Sequence, residues 1–298
     1  MSEGYQDDIR RIALIAMFSD DDLMNRLVLK GGNALDIVYG TAKRASFDLD
    51  FSIEGEFRRE DMAILKAKIS KVLIETFEEH SYSVFDITFE EKPESMPTSV
   101  QGFWGGYQIE FKVMRREKYR ALSGNIDALR REALEVAPGH KRRLTIEISK
   151  FEVCSLKKPH EVDGYTVYVY PPEMLAIEKL RAICQQMPEY AEIVGKSHVS
   201  ARARDFLDFH TVVEHFKLNL LDARNIAALK AVFEAKRVPL DLLGEVHRHR
   251  EFHRPDFRAV MATVKPGTGL ESFDFYLDFV VEQCRGILDL LGNKDAIP

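Results

Sequence analysis

The spacing of the apolar residues changes character once along this chain, near residue 170. Before that point the two-residue alternation of strands is interleaved with the 3.6-residue spacing of helices, and after it nearly every segment has helical spacing. Strands mixed with helices predict an α+β unit, and helices alone predict an all-α unit. We therefore predict an α+β fold of two domains, a mixed sheet with flanking helices over residues 1–170 and a helical domain over residues 171–298.

Six segments before residue 171 have the pattern of strands, and seven segments along the chain have helical spacing. The predicted strands are 26–30, 46–53, 82–90, 106–114, 143–151 and 165–170. The predicted helices are 9–24, 33–40, 58–78, 171–187, 205–216, 225–236 and 273–291. Asn33 is the expected N-cap of the short second helix. Proline at the start of the fourth helix costs no hydrogen bond, because the first N–H groups of a helix have no partner within it.

The composition predicts a folded protein that lies outside the membrane in a reducing compartment. Of the 298 residues, 45% are hydrophobic and 30% are charged, which allows a large core and a charged surface. No apolar run reaches the roughly 18–20 residues of a membrane helix, and the polar N-terminus lacks the apolar stretch of a secretory signal. The three cysteines, Cys154, Cys184 and Cys284, are far apart and form no CxxC pair. This argues against a zinc site or a disulfide framework and favours the cytoplasm.

The segment SFDLDFS places two aspartates on one side of a predicted strand. Because side chains alternate between faces, Ser46, Asp48, Asp50 and Ser52 share one face, and the apolar residues share the other. Aspartate is disfavoured in strands, and two carboxylates this close repel each other unless a cation lies between them. A magnesium ion, which prefers carboxylate and phosphate oxygens, would remove that repulsion. The alternative is an exposed strand with a polar outer face.

The residues that precede this strand have the composition of a phosphate site. Lys30, Gly31 and Gly32 lie between a predicted strand and a predicted short helix. Paired glycines let a backbone approach a phosphate, a helix N-terminus attracts anions, and the lysine adds positive charge. A lone pair of glycines is more often a tight turn. Here the turn, a helix and the Asp48–Asp50 strand follow one another, which is the order that a nucleotidyl-transfer site requires.

Such a site usually contains a third carboxylate on an adjacent strand. Glu110 and Glu147 each lie between apolar residues of a predicted strand, so both are expected on its polar face. Alternation alone does not choose between them.

Three charged residues of the helical part have ordinary local explanations. Lys179 lies beside an apolar stripe of its helix, which favours a lysine that extends along the surface to reach solvent. Asp205 and Asp208 lie one turn apart on a later helix, which usually means a solvated face or an ion pair with Arg204.

The net charge of −6 opposes nucleic-acid binding unless basic residues are concentrated locally. Residues 115–143 contain nine Lys and Arg against four acids, a local excess of five. The segment 247–258 alternates Arg and His with Phe252 and Phe257. These two segments are the candidates for holding an RNA backbone and stacking its bases, although such runs are more often ordinary solvated surface.

Five motifs together resemble the AbiEii-like nucleotidyltransferase family, the toxin component of bacterial abortive-infection and MenT-type toxin–antitoxin systems. The motifs are LKGGNAL from Leu29, RASFDLDFS from Arg44, LTIEIS from Leu144, PPEMLAIEKLRAI from Pro171 and ARARDFLDF from Ala201. The resemblance implies a polymerase-β-like nucleotidyltransferase sheet and a helical lobe that contributes to the active-site cleft. It implies transfer of a nucleotide from an NTP to an acceptor, expected to be RNA such as the 3′ end of tRNA. Magnesium, or else manganese, is the implied metal, and a cognate antitoxin is an implied partner.

The resemblance also assigns roles to individual residues. The implied nucleotide-binding residues are Lys30, Gly31, Gly32, Ser46 and Lys179, the metal ligands are Asp48, Asp50 and Glu147, and the catalytic residues are Asp48, Asp50, Glu147, Lys179 and Asp205. The IEIS context favours Glu147 over Glu110 as the third carboxylate. Asn33 departs from the family, which more often has a small Thr or Ser there. The segment between Cys184 and Arg204 is longer than the pattern, so the geometry that links Lys179 to Asp205 stays open.

Three alternatives remain at the level of sequence. The first is the same chemistry on a small molecule such as an aminoglycoside, which an acidic cleft would favour because aminoglycosides are cations. The second is a catalytically inactive protein that binds nucleotide or RNA. The third is phosphate transfer with self-modification at Ser46, which shares the predicted strand face of Asp48 and Asp50.

Overall fold

The computed structural model describes residues 3–195 and 199–292, and within these residues seven strands form one mixed sheet. The strands are β1 (Val28–Lys30), β2 (Leu49–Ser52), β3 (Tyr82–Lys92), β4 (Gly106–Arg115), β5 (Leu144–Ser149), β6 (Lys158–Val162) and β7 (Tyr165–Val169). Their order across the sheet is β3-β4-β5-β2-β1-β7-β6. β1 runs parallel to β7 and β2 runs parallel to β5, whereas the other neighbours are antiparallel.

Helices flank this sheet, and in the described part of the chain every element after residue 170 is a helix. Those of the first part are α1 (Glu3–Phe18), α2 (Asp21–Arg26), α3 (Gly31–Asn33), α4 (Met62–Glu79), α5 (Arg116–Ala121) and α6 (Ile126–Glu132), with a π-helical turn over Ala34–Val38. Those of the second part are α7 (Pro172–Cys184), α8 (Pro188–Val194), α9 (Ala203–Phe216), α10 (Ala223–Ala235), α11 (Leu242–Glu245), α12 (Arg250–His253), α13 (Phe257–Met261) and α14 (Phe273–Leu291).

The predicted fold class is confirmed, because a mixed sheet with flanking helices precedes a helical part. All strands of the sheet lie before residue 170. The division into domains at 170/171 stays a prediction, and residues 293–298 of the second predicted domain lie outside the described residues.

The two central strands of the sheet separate an apolar face from a polar one. Leu49 and Phe51 of β2 and Ile146 and Ile148 of β5 are fully buried or nearly so. The ring of Phe18 in α1 lies 5.8 Å from that of Phe51, so α1 covers this face. Burial of each such side chain contributes roughly 1.5–3 kcal/mol. This burial fixes which face of the sheet is apolar. The polar side chains that alternate with these residues therefore point to the opposite face.

All six predicted strands are found, and the strand that sequence inspection missed is β6. It carries Lys158, Pro159 and Glu161, and its side chains are mostly exposed. β6 lies at the edge of the sheet, where proline and charged residues are common. Because an edge strand of this kind buries little apolar surface, it leaves no alternation to detect.

Two predicted helix boundaries are wrong. Segment 9–24 contains two helices, because the Asp20 side chain accepts hydrogen bonds from the N–H groups of Asp22 and Leu23 and starts α2. Asn33 is not an N-cap, since the short helix starts at Gly31 after Lys30.

Candidate active site

A cleft of about 990 Å³ lies between the polar face of the sheet and the helices α7 and α9. Strands β1, β2, β4 and β5 contribute to its lining. All residues to which the family resemblance assigned a role line this one cleft: Lys30, Gly31, Gly32, Ser46, Asp48, Asp50, Glu147, Lys179 and Asp205. The sheet and the helical part thus bring together residues that are up to 175 positions apart in sequence.

Strand register places Asp50 beside Glu147. These residues are direct neighbours on the parallel strands β2 and β5, and adjacent strands lie about 4.8 Å apart. Lys30 on β1 continues the same row on one side, and Gln108 on β4 continues it on the other.

Glu110, the other candidate third carboxylate, points elsewhere. It lies opposite Thr145 rather than Glu147. Its carboxylate accepts a hydrogen bond from Arg143 at 3.1 Å, and it does not line the cleft. Of the two glutamates that sequence alternation left open, only Glu147 lies next to Asp50.

The electrostatics of this row disfavour negative charge. Burial raises the pKa of Asp50, although Lys30 and Lys179 oppose that shift, and the nearby Asp48 carboxylate adds to it. Loss of hydration also raises the pKa of Glu147, and repulsion by Asp50 and Asp48 raises it further. Two neighbouring carboxylates whose pKa values are raised in this way are the arrangement that an added cation relieves.

Asp48 differs from the prediction in its position and its partner. It precedes β2, because the strand begins at Leu49 and not at Ser46. Its backbone carbonyl accepts a hydrogen bond from the side chain of the buried Asn33 at 2.7 Å. Its carboxylate pairs with the Lys141 ammonium at 2.8 Å, and both side chains are partly exposed. Within residues 3–195 and 199–292, no three acidic, histidine or cysteine side chains are arranged closely enough to share a metal ion.

The two glycines of the turn are required by close packing. Gly31 has φ +70°, and a Cβ there would lie 2.5 Å from Oδ2 of Asp50. A Cβ on Gly32 would lie 2.6 Å from Oγ of Ser46. The absence of side chains at these positions therefore lets the turn contact both polar residues of the site.

Lys30 belongs to a buried ion network at one end of the cleft. Its ammonium lies 3.3 Å from Glu152 and 3.2 Å from Glu178, and Arg181 contacts the same two carboxylates. Burial disfavours ionisation of Glu152, but Arg181, Lys30 and Lys236 outweigh it and lower its pKa to about 2. Burial lowers the pKa of Lys236 to about 8. The Lys30 charge is thus already compensated within the protein.

Lys179 belongs to a second buried network. Its ammonium lies 2.8 Å from both Asp205 and Asp208. Arg44 binds Asp208 through two hydrogen bonds of 3.0 and 2.6 Å, and Arg202 contacts Asp205 at 3.0 Å. The expectation that Lys179 extends to solvent is wrong, because it is only 8% exposed.

The two ordinary explanations for Asp205 and Asp208 are also wrong. Asp205 is 1% and Asp208 6% exposed, so they do not form a solvated face. Their cationic partners are Lys179, Arg44 and Arg202, and Arg204 forms an ion pair with neither. The sequence left open how Lys179 and Asp205 lie relative to each other, and the packing of α7 against α9 brings them into contact. Residues 196–198 of the segment between these helices lie outside the described residues.

Sequence inspection missed several residues that shape the site. Glu178 and Arg181 lie on α7 close to Lys179, and all three are buried. Three charges clustered among the apolar residues of the second half of this helix were the signal, because buried charges need partners. Lys141 left no such signal, since it was one of many basic residues in its segment.

The basic excess predicted for residues 115–143 is partly compensated by acids from outside or from within the segment. Arg130 binds Asp86 through two hydrogen bonds, and Arg143 binds Glu110. The segment's remaining ion pairs are Lys118 with Glu132, Lys141 with Asp48 and Arg142 with Glu135.

The segment 247–258 is also compensated. Arg250 and Arg254 both pair with Asp274 of α14. Phe257 is buried, whereas Phe252 is 37% exposed. Part of the positive charge of each basic segment is therefore balanced within the protein.

A mixed sheet that presents neighbouring carboxylates beside a glycine turn, at a cleft closed by helices, is the arrangement expected of a nucleotidyltransferase. A family model described as "Nucleotidyl transferase AbiEii toxin, Type IV TA system" matches residues 12–279. The chain belongs to this family of nucleotidyltransferase toxins, and the resemblance inferred from the five motifs is confirmed. Membership in a toxin–antitoxin family implies an antitoxin partner.

Solved structures are similar to this chain at low sequence identity, and the first of the two below shares its fold. JHP933 from Helicobacter pylori is 16% identical, with 99% of this chain and 96% of that chain covered and a TM-score of 0.52. The MenT4 nucleotidyltransferase toxin from Mycobacterium tuberculosis H37Rv is 14% identical, with 99% and 90% covered and a TM-score of 0.47. No curated protein matches the chain by sequence. Among the described residues, none of the helices combines the length and the apolar character needed to cross a bilayer.

Proposed function

We propose that this protein transfers a nucleoside monophosphate from an NTP to RNA, at a single-stranded 3′ end such as that of tRNA, as the toxin of a toxin–antitoxin or abortive-infection system. The observation that carries the proposal is the pairing of Asp50 with Glu147 on neighbouring strands, with Asp48 near them and the glycine turn against Asp50. Family membership supports the reaction class.

The donor set fits a divalent metal ion. Magnesium is usually held by one or two carboxylates together with substrate phosphates, and Asp50 and Glu147 are adjacent carboxylates without an ion-pair partner among the described residues. Asp48 would be the third ligand once its carboxylate leaves Lys141. Magnesium, or manganese in its place, would supply positive charge to the phosphates when bound.

The protein's own residues have distinct roles in the proposed reaction. The acceptor hydroxyl forms a bond to the α-phosphorus, the bond from that phosphorus to the bridging oxygen breaks, and pyrophosphate leaves with the electron pair. Glu147 is suited by its position beside Asp50 to take the hydroxyl proton. Lys179, held by Asp205, and the Gly31–Gly32 turn with Ser46 would bind the phosphates.

The charge of the cleft favours an anionic substrate over a cationic one. Eight basic side chains line it: Lys30, Arg44, Lys92, Lys179, Arg181, Arg202, Arg204 and Lys236. Seven acidic side chains line it: Asp48, Asp50, Glu147, Glu152, Glu178, Asp205 and Asp256. An aminoglycoside would require an acidic cleft, so this balance, further shifted by a divalent ion, supports RNA as the acceptor.

Transfer to RNA is tested by incubating the protein with total RNA, magnesium and each labelled NTP in turn. We expect a labelled RNA product with one NTP and no product from Asp48→Ala. Asp163→Ala is a matched control, because this exposed aspartate pairs with Arg11 outside the cleft. Label on a small molecule, or on a Ser46 peptide of the protein itself, would contradict the proposal.

We also propose that the protein acts in the cytoplasm. Cys154, Cys184 and Cys284 are all buried free thiols in the structure, as a reducing compartment allows. Separation of the host cells into cytoplasmic and membrane fractions would measure this, and the protein is expected in the cytoplasmic fraction.

A further inference from the structure

One cation of the cleft has no carboxylate partner among the described residues. Arg204 is the second residue of α9, its side chain is exposed, and it lines the cleft. We propose that its guanidinium group binds the β- and γ-phosphates of the NTP, the part of the donor that leaves as pyrophosphate. This inference rests on the proposed function and deepens it, because it names a residue that recognises the triphosphate.

The other basic side chains that line the cleft have carboxylate partners. The pairs are Lys30 with Glu152 and Glu178, Arg44 with Asp208, Lys92 with Glu90, Lys179 with Asp205 and Asp208, Arg181 with Glu152 and Glu178, Arg202 with Asp205, and Lys236 with Glu152. Arg204 forms no such pair within residues 3–195 and 199–292. A paired cation must loosen an existing contact to bind a phosphate, whereas an unpaired cation does not. Arg204 is therefore the cleft cation that is most available to a substrate.

Two carboxylates show where the Arg204 charge lies. Burial raises the pKa of Asp50, and Lys179 and Arg204 are among the charges that oppose this rise. Burial also disfavours ionisation of Asp205, but Lys179 and, with a smaller effect, Arg204 help to lower its pKa. Arg204 thus lies close enough to the carboxylates of the sheet and to the Lys179 network to act on both, without an ion pair to either aspartate.

A series of contacts connects Arg204 to the glycine turn along one side of the cleft. A Cβ added to Gly32 would lie 3.6 Å from a guanidinium nitrogen of Arg44. Arg44 and Lys179 bind the same carboxylate, that of Asp208. Lys179 also binds the residue that follows Arg204 in the chain. A triphosphate bound by the glycine turn and Lys179 is therefore within reach of Arg204.

This side of the cleft retains positive charge when all of its ion pairs are formed. Its cations are Arg44, Lys179, Arg202 and Arg204, and their carboxylate partners are Asp205 and Asp208. The terminal phosphate of an NTP carries about two negative charges, whereas each phosphate of an RNA backbone carries one. The excess therefore favours the triphosphate over the RNA backbone as the occupant of this side.

The guanidinium group has the geometry that this role requires. It is planar, stays charged throughout the physiological pH range and donates two parallel hydrogen bonds to one phosphate. Lys179, in contrast, is held by two carboxylates and is only 8% exposed. Negative charge accumulates on the leaving pyrophosphate as its bond to the α-phosphorus breaks, and an arginine in position stabilises that charge.

Arg224 provides a matched control. It is the second residue of α10, as Arg204 is of α9, and each arginine follows an alanine. Arg224 is also exposed and has no ion-pair partner in the described part of the chain, but it does not line the cleft. Replacement of either arginine removes the same charge from the same helix position, and only Arg204 can contact a substrate in the cleft.

Binding of inorganic pyrophosphate and of each NTP to the intact protein with Mg²⁺, followed by calorimetry, tests the inference without turnover. Loss of a hydrogen-bonded charge weakens binding by roughly 10- to 150-fold. We expect Arg204→Met to weaken pyrophosphate and NTP binding within this range. Arg204→Lys keeps the charge but not the paired donors, so it should restore part of the affinity. Arg224→Met should bind both ligands as the wild type does.

Steady-state transfer to RNA provides the second test. Arg204→Met should raise the KM for the NTP and leave the KM for RNA unchanged, because the residue contacts only the donor. A rise in the KM for RNA in place of the KM for the NTP would overturn the assignment. Equal loss of pyrophosphate affinity in Arg204→Met and Arg224→Met would also overturn it, since the loss would then come from the helix position and not from a contact in the cleft.

The outcomes separate this inference from the proposed function. Transfer to RNA with an unchanged KM for the NTP in Arg204→Met leaves the proposed function intact and overturns the role of Arg204. Pyrophosphate and NTP binding that Arg204→Met weakens, together with no transfer to RNA by the wild type, supports the phosphate site and removes the proposed reaction. A wild-type protein that binds neither pyrophosphate nor any NTP contradicts both.

Discussion

Two pairs of acidic side chains, one on the sheet and one on α9, lie in opposite electrostatic surroundings. Asp205 and Asp208 are buried against Lys179, Arg44 and Arg202. Burial disfavours their ionisation, but these cations outweigh it and hold the pKa of both carboxyls below the ordinary range. Asp50 and Glu147 have no ion-pair partner among the described residues, and burial raises the pKa of both.

The difference indicates which carboxylates maintain the structure and which are available to a substrate. A carboxylate with fixed cationic partners has its charge already balanced, so its removal exposes unpaired charge and destabilises the fold. A carboxylate without partners gains most from a cation that arrives later, and such groups concentrate at functional sites. Asp205 and Asp208 thus hold the Lys179 side chain in position, whereas Asp50 and Glu147 are available to bind a cation.

The largest expected effect is on activity when an unpaired carboxylate is neutralised. Asp50→Asn should lower nucleotide transfer by at least about 10²–10³-fold, the loss typical of removing one charge-stabilising group. It should not lower the free energy of unfolding, because the carboxylate has no ion-pair partner to leave behind. Incorporation of labelled NMP and urea denaturation measure the two quantities. Activity within a few-fold of wild type would remove Asp50 from the site.

The next effect is on stability when a paired group is removed. Lys179→Met should lower the free energy of unfolding by about 3–5 kcal/mol, since it leaves Asp205 and Asp208 with too little buried positive charge. Lys71→Met is the matched control, because this exposed lysine makes only a long contact with Glu75 and should cost less than about 0.5 kcal/mol. Equal losses in the two variants would show that burial of the Lys179 network does not matter.

The pH dependence of stability should have opposite sign in the two pairs. The folded-state pKa of Asp50 is raised, so the stability that it contributes is complete below its unfolded pKa, near 4, and is lost as pH rises through the folded value. The folded-state pKa of Asp205 is lowered, so its contribution is complete above the unfolded pKa and is lost as pH falls through the folded value.

Urea denaturation between about pH 2 and pH 7 would measure this contrast. Relative to wild type, Asp50→Asn should gain stability as pH rises from about 4, and the deficit of Asp205→Asn should shrink as pH falls below about 4. Curves that stay parallel to wild type in both variants would contradict the pKa directions.

The smallest expected effect is on metal affinity and concerns Asp48. This residue is intermediate between the carboxylates with buried cationic partners and those without a partner. Its carboxylate is paired with Lys141, but both side chains are about 40% exposed, so the pair is weak. Lys141→Met should tighten Mn²⁺ binding by about two- to five-fold, because the ion no longer displaces an ammonium. Arg142→Met, which removes the neighbouring pair with Glu135, should leave Mn²⁺ binding unchanged.

Mn²⁺ binding followed by electron paramagnetic resonance gives these affinities without turnover. Adding Asp48→Ala to Lys141→Met should abolish the gain. Weaker binding in Lys141→Met would indicate that the lysine helps to assemble the site and does not compete for it.

Most of the regular structure follows from the sequence, because it depends on patterns within single segments. Alternation in LTIEIS predicts β5, and the segment 273–291 coincides with α14. β6 was not predicted because it buries no continuous apolar face. α2 was not predicted as a separate helix because a capping interaction at Asp20 divides one apolar pattern into two helices. Local signals predict elements that are stabilised locally or by a regular buried face.

The sequence predicted which residues line the cleft, but not which charged residues pair with one another. Asp48, Asp50, Glu147, Lys179 and Asp205 all line the cleft. Alternation predicted both Glu110 and Glu147 on the polar face of a strand and did not distinguish between them. The choice depends on the register between strands, which is set by neighbours that are distant in sequence. Only the pairing of β5 with both β2 and β4 puts Glu147 beside Asp50 and turns Glu110 to Arg143.

The sequence by itself determined the order of the elements, the polar face of the central strands and the residues capable of phosphate chemistry. The tertiary structure alone decided which charges are compensated: Lys30 by Glu152 and Glu178, Lys179 by Asp205 and Asp208, and Asp50 by none of the described residues. The physical reason is that periodicity acts over a few neighbouring residues, whereas the energy of a charge depends on burial and on partners that packing brings from anywhere in the chain.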